Sequence, residues 1–365
     1  MSQINKSSDY FSTNLWVADD SSPRSFTGFG HQPDFVWVKH RGSASINHTL
    51  ADSVRGGDKM LASNTTAVED TKSHGEITSF DSDGITVADG TNATYPRLYF
   101  NDLDPFGSGG GNYVGWSWKA GGTASSNTDG SITSTVSANT TSGFSIVSYT
   151  GDGSGISSVG HGLNATPKLI IGKNRDSSDA TFGRWLVGGS AISSFNFAND
   201  YMVLNSTGAK ATDAGGTVWN SAPTSTVVNF ANFFNTNTNK YIMYCFAEKK
   251  GFSKFGSYTG NGSATDGTFV YTGFKPAFII IKGATNPSSW LIQDNKRQTY
   301  NDGSIPWIKA NTSDAEFNLD NLDMLSNGFK CRTSNNDFNG ANTYIYMAFA
   351  ENPLVGTNNI PTTAR

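Results

Sequence analysis

Charge is scarce in this chain. Only 15% of its 365 residues are Asp, Glu, Lys or Arg, and the formal net charge is −4. General nucleic-acid binding needs a basic face to neutralise phosphates, so that class is not expected. Cysteine is scarcer still, with Cys245 and Cys331 alone. Two thiols make no disulfide framework. Both fall in apolar, strand-like runs, where Cys packs as a small hydrophobe. Long hydrophobic stretches are missing too: 277–281 and 241–247 have the length of strands, far short of a membrane span. Residues 1–6 carry no apolar leader, so synthesis and folding in a cytoplasm are expected. No segment shows a sustained helical period with caps, and the best short-helix candidate, 318–326, reads equally well as loop.

What the chain does have is aromatic side chains (12%) and 40 glycines. Disordered chains lack aromatic and β-branched residues, and this one is rich in both. Strands joined by Gly, Asn, Asp and Ser turns are the natural reading, hence an all-β fold.

A short pattern recurs three times. Pro33-Asp34-Phe35-Val36-Trp37-Val38-Lys39, Pro167-Lys168-Leu169-Ile170-Ile171-Gly172-Lys173 and Pro276-Ala277-Phe278-Ile279-Ile280-Ile281-Lys282 each open on proline and end on lysine six residues later. A second landmark closes each copy: runs beginning at Tyr113, Tyr241 and Tyr344 reach an aromatic residue five positions on, at Trp118, Phe246 and Phe349. An offset of 109 residues separates Tyr149 from Tyr258 and also Pro167 from Pro276, which argues for tandem duplication. The expected fold is therefore three tandem β-sandwich units of jelly-roll or lectin-like type. The boundaries are 1–122, a Gly/Ser/Thr/Asn linker at 123–142 with a short edge strand possible near 132–136, then 143–250, 251–353 and a tail at 354–365. Units two and three have no linker and should pack closely. The Pro-to-Lys runs are continuously apolar, as strands buried on both faces are.

Candidate chemistry is thin. Asp52 and Asp294 each lie four residues after a ring-bearing residue, His48 and Trp290, whereas unit two has Trp185 but Gly189 at the corresponding place. A glycosidase needs two carboxylates held across a sugar, and nothing in the spacing places these two so. Solvated turn acids are the simpler reading. The five histidines show no metal-ligand spacing. Asp152-Gly153-Ser154 and Asp266-Gly267 have too few carboxylates for a calcium loop and are accounted for as turns. No catalytic residue, metal site or cofactor is expected. Tryptophan is the more informative residue, because Trp37, Trp116, Trp118, Trp185, Trp219, Trp290 and Trp307 exceed what three small cores need. Trp37 and Trp118 occupy repeat-equivalent, core-like positions. Trp185 and Trp290 follow loops, so they are expected as contact residues, with Asp294 and Arg297 beside Trp290.

Four segments carry a resemblance: Tyr258-Thr259-Gly260-Asn261-Gly262-Ser263, Gly273-Phe274-Lys275-Pro276 with its apolar strand, Ser326-Asn327-Gly328-Phe329-Lys330, and the run from Tyr344 to Pro353. Together they resemble an uncharacterised repeated domain of virion-associated proteins in marine tailed bacteriophages. The resemblance covers units two and three well and unit one more loosely, since unit one lacks the Tyr-Thr-Gly opening. It implies a virion structural role in a tail fibre or appendage, with assembly and attachment to a host glycan or surface protein as its work. Partners would be other virion proteins and copies of the chain itself, with the tail at 354–365 lying on a neighbour. A capsid decoration protein is the alternative within that class. A carbohydrate-active enzyme is the alternative outside it, and would need two carboxylates facing each other in an aromatic-lined cleft.

Overall fold

A computed structural model describes residues 4–107, 110–213, 215–297 and 303–353. The fold is all-β, as expected. Helical pieces among the described residues are the single turns Ser7–Asp9, Pro105–Gly107 and Asn232–Phe234. The segment 318–326 is extended, with strands Phe317–Leu319 and Leu322–Leu325. The tail at 354–365 lies outside the described residues.

One sheet topology occurs three times. In unit one the strand order is Phe11–Val17, Asn112–Trp118, Phe35–His40, Thr49–Asp52, Gly56–Leu61, Asp70–Thr71. In unit three it is Ser253–Thr259, Thr343–Pro353, Phe274–Gly283, Leu291–Asp294, Ile305–Lys309, Phe317–Leu319. Unit two has the same order, Phe144–Thr150, Lys240–Phe246, Leu169–Asn174, Trp185–Gly188, Asp200–Val203, Ala211–Thr212. Every pairing is antiparallel, and the registers correspond: Phe35 faces Trp118, Leu169 faces Phe246 and Phe278 faces Phe349. A small sheet covers each large one: Arg24–Thr27, Gly84–Ala88 and Glu76–Asp81 in unit one, Ser157–Gly160 and Val227–Phe230 in unit two, and Phe269–Tyr271, Gly328–Cys331 and Leu322–Leu325 in unit three.

The expected linker at 123–142 requires correction. Residues Ser125–Asn127 and Ser134–Asn139 are strands that extend the large sheet of unit two, pairing onto Phe144–Thr150. Low-complexity composition concealed them because Ser125–Asn127 is the edge strand and Ser134–Asn139 lies next to it, where few side chains need to be apolar. Val136 and Ile132 are buried nonetheless.

The continuous apolar runs have a simple cause. Each Pro-to-Lys strand alternates between two cores. Val36 and Val38 face a core private to unit one, while Phe35 and Trp37 face a core shared by all three units. Ile279 and Ile281 face the private core of unit three, and Phe278 and Ile280 the shared one. Ile170 and the flanking Leu169 and Ile171 divide in the same way. Side chains on successive strand residues point to opposite faces, so a strand with a core on each side shows no polar alternation. The units are thus not three separate sandwiches. Their large sheets turn their inner faces to a common centre.

That centre is aromatic. The repeat-equivalent closing residues Trp118, Phe246 and Phe349 form a triangle, with ring centroids 6.4, 5.8 and 6.3 Å apart. Phe11 stacks on Phe349 at 4.9 Å, and Phe35 stacks on Tyr244 of unit two at 4.2 Å. The surplus of tryptophan is explained here, because Trp37, Trp116, Trp118, Trp185 and Trp290 all belong to the shared core.

Candidate functional site

The four residues expected to form a contact surface are all interior. Trp185 and Asp294 are fully buried, Trp290 is 2% exposed and Arg297 is 9% exposed. Each stands where one unit meets the next. Trp185 Nε1 donates to the carbonyl of Ala62 in unit one at 2.8 Å, and Trp290 Nε1 donates to the carbonyl of Val203 in unit two at 2.9 Å. His48 takes the same place in unit one. Its Nε2 lies 3.0 Å from the carbonyl of Lys309 in unit three, while Trp37 Nε1 donates to its Nδ1 at 2.9 Å. A carbonyl only accepts, so these two bonds fix His48 as the neutral tautomer with its proton on Nε2. Unit two donates to unit one, unit one to unit three and unit three to unit two, and the ring closes.

A second set of equivalent bonds seals the same seams. The N–H groups of Glu69, Lys210 and Glu316 donate across them to the carbonyls of Arg175, Ala284 and Arg41, each at 2.8 Å. The repeat lysines add to this. Lys173 Nζ donates to Thr66 O across the seam and to Gly183 O, and Lys282 Nζ to Thr207 O across the seam and to Gly283 O. Lys39 Nζ donates to His40 O and Ser43 O within its own unit. Burial pulls Lys39 and Lys173 down to about 7 and Lys282 to about 8.

Two seams also carry an ion-pair chain that sequence reasoning missed. At the junction of units one and two, Asp52 Oδ2 accepts from Arg55 Nε at 2.6 Å and from the hydroxyl of Tyr244 at 2.8 Å. Arg55 continues to Glu69 at 3.0 Å, and Glu69 is held in a two-bond fork by Arg175 of unit two at 2.7 and 2.6 Å. The junction of units three and one repeats this. Asp294 Oδ2 accepts from Arg297 Nε at 2.7 Å and from Trp116 Nε1 at 3.0 Å; Arg297 reaches Glu316 at 3.0 Å; Arg41 of unit one forks onto Glu316 at 2.9 and 2.7 Å. Burial alone would raise Glu69 and Glu316, but the arginines hold both below the usual carboxylate range. A signal was present in the sequence: Arg41 and Arg175 each follow a repeat lysine by two residues, and unit three has Ala284 there.

Among the described residues, the remaining seam, between units two and three, has no counterpart of that chain. Gly189 and Ile192 stand where the others have Asp and Arg, Met347 stands for Tyr244 and Trp116, and Lys210 stands for Glu. Lys210 pairs instead with Asp200 of its own unit at 2.7 Å. Ala191, Ile192, Met202 and Met347 join the shared apolar core.

The other candidates resolve locally. Asp152 accepts from Ser154 N–H at 2.8 Å and from Asn235 Nδ2 at 2.9 Å, a turn tied down by Asn235 of the same unit. Cys245 and Cys331 are free and buried, and burial pushes their thiols up to about 12 and about 11. Among the described residues no group of three or more His, Cys, Asp and Glu side chains is arranged to hold a metal ion, and no helix is long and apolar enough to cross a membrane. A shallow polar hollow of about 460 Å³ lies where unit one passes into unit two, beside Gln32, Lys119, Asn139 and Thr140. Asp34 at its edge is occupied: its Oδ2 accepts the N–H groups of Ala120 at 2.8 Å and Gly122 at 3.3 Å, and its Oδ1 accepts from Ser53 Oγ at 3.2 Å.

Fold and seams together define a single-chain β ring with threefold pseudo-symmetry, in which the reactive-looking residues are structural ties. Over residues 6–353 the chain matches the family described as a domain of unknown function (DUF7483), and it belongs to that family. The match runs unbroken through all three units. No curated protein and no solved structure matches the chain.

Proposed function

We propose that this protein is a structural component of a bacteriophage virion, placed in a tail fibre or appendage, and that it acts through surface contact without catalysis. One observation supports the contact role above others. The carboxylates a glycan hydrolase would need, Asp52 and Asp294, are fully buried and consumed by Arg55 and Arg297 at 2.6 and 2.7 Å. Freeing either would break a fully buried ion pair, a cost of ~3–5 kcal/mol. The virion setting rests on the resemblance carried by the repeat motifs of units two and three. A closed ring tied at three seams suits an assembly part that must keep its shape. Gold-labelled antibody against the chain, applied to intact particles under the electron microscope, tests this. Label on tail appendages is the expected result. Label on the head would replace the tail assignment with capsid decoration, and unlabelled particles would overturn the virion assignment.

A further inference from the structure

The three small sheets serve as controls for one another, and one of them differs. Each has an inner face on its private core, and the outer faces differ. In unit three the edge strand Phe269–Tyr271 buries Val270 and turns Phe269 and Tyr271 outward, 44% and 60% exposed. Register places Phe269 beside Lys330 and Lys330 beside Asp323, and Tyr271 beside Gly328 and Gly328 beside Leu325. Unit one has the same frame. A Cβ on Gly84 would strike the carbonyl of Phe26 just as one on Gly328 would strike that of Val270. Its outer positions are Ser25 and Thr27, beside Thr86 and Gly84. Unit two has half-buried Ser158 around buried Val159, and its Gly160 is covered by Asn127. Only unit three puts aromatic rings there.

Both rings stand next to glycines. A Cβ on Gly328 would sit 3.2 Å from Phe269 Cε2, and one on Gly273 would sit 3.7 Å from the Tyr271 hydroxyl oxygen. Each ring therefore leans over a glycine. The rim is charged but balanced: Lys330 pairs with Asp266 at 2.6 Å, and Arg332 pairs with Asp323. Three strands of three or four residues span roughly 10 Å by 10 Å. That is far below the ≈800 Å² per partner that a stable protein interface buries, so a second copy of the chain is a poor fit and a small rigid ligand a good one. The C–H face of a pyranose carries partial positive charge that meets the negative face of an aromatic ring. Its hydroxyls suit the outward lone pairs and donors of the paired Lys, Asp and Arg. Balanced charge favours an uncharged sugar over an anionic or cationic one.

We infer that the outer face of unit three, centred on Phe269 and Tyr271, is a binding platform for neutral pyranose glycans. This deepens the contact role proposed above and rests on it for its biological setting, but particle labelling and sugar binding are read separately. The test is an array of neutral hexose and N-acetylhexosamine oligosaccharides probed with the full chain, followed by calorimetric titration of the best-retained sugar. The comparison protein carries Phe269→Ser with Tyr271→Thr, the residues that unit one uses. The expected result is retention of at least one neutral glycan by the wild type, a loss of about tenfold or more in affinity, equal to ~1.4 kcal/mol, in the double variant, and an unchanged thermal midpoint. No neutral glycan retained, or equal binding by the variant, overturns the platform. A wild-type dimer in sedimentation that the double variant abolishes also overturns it, because a second copy would then be the occupant.

Discussion

Two seams of the ring are tied by buried ion-pair chains, and the third is closed by methionine, isoleucine and alanine. The backbone geometry is the same in all three, down to the 2.8 Å amide bonds of Glu69, Lys210 and Glu316. What differs is what happens when a partner is lost. A buried Arg–carboxylate pair adds little net stability over an apolar pair of similar volume, yet breaking it strands a charge. The polar seams are therefore specific and brittle. The apolar seam is tolerant of small changes and takes its register from the hydrogen bonds of Trp290, Lys210 and Lys282 rather than from charge.

Single substitutions at matched positions sharpen that contrast. Arg297→Ala leaves Asp294 charged, with 0% side-chain exposure, and should cost ~3–5 kcal/mol in urea unfolding. Ile192→Ala, the matching position of the apolar seam, should cost less, at the lower end of ~2–5 kcal/mol. Converting the polar seam to an apolar one with Asp294→Leu and Arg297→Met together should cost ~1–3 kcal/mol, less than Arg297→Ala alone, because the groups left without Asp294 are neutral N–H donors, those of Trp116, Lys296 and Arg297, and Glu316 keeps Arg41. A double variant no better than the single one would mean that the ion pair itself carries the seam.

Acid should act mainly through histidine. Burial, helped by the charge on Lys39, holds His48 at about 3 against its ordinary 6.5. The folded state therefore binds fewer protons than the unfolded one between those values, and stability falls as pH drops through 6.5. From pH 7 to pH 5 the loss at this site is on the order of 1–2 kcal/mol. His31 and His40, held at about 4, add to it. His48→Gln keeps a donor for Lys309 O and an acceptor for Trp37 without titrating. Urea midpoints measured at the two pH values should differ less in that variant than in the wild type.

Much of the fold was legible. The Pro-to-Lys strands, the closing strands and the antiparallel all-β class follow from apolar patterning and turn residues. Trp185, Trp290, Asp294 and Arg297, expected as contact residues, lie in the interior. The reason is physical. A strand's pattern reveals that both of its faces are buried but not what buries them, and the partners are remote: Val203 is 87 residues from Trp290, and Trp116 is 178 residues from Asp294. The outward rings of unit three were equally hidden, because Phe269 and Tyr271 look like ordinary strand aromatics until their outward direction is known.

A single closed body with one shared core is most directly tested by native-state hydrogen exchange in increasing urea. If the triangle of Trp118, Phe246 and Phe349 joins the units as described, amides in Phe35–His40, Leu169–Asn174 and Phe274–Gly283 will lose protection together, at one common free energy. Stepwise loss, with one unit opening well below the other two while they stay protected, would contradict it.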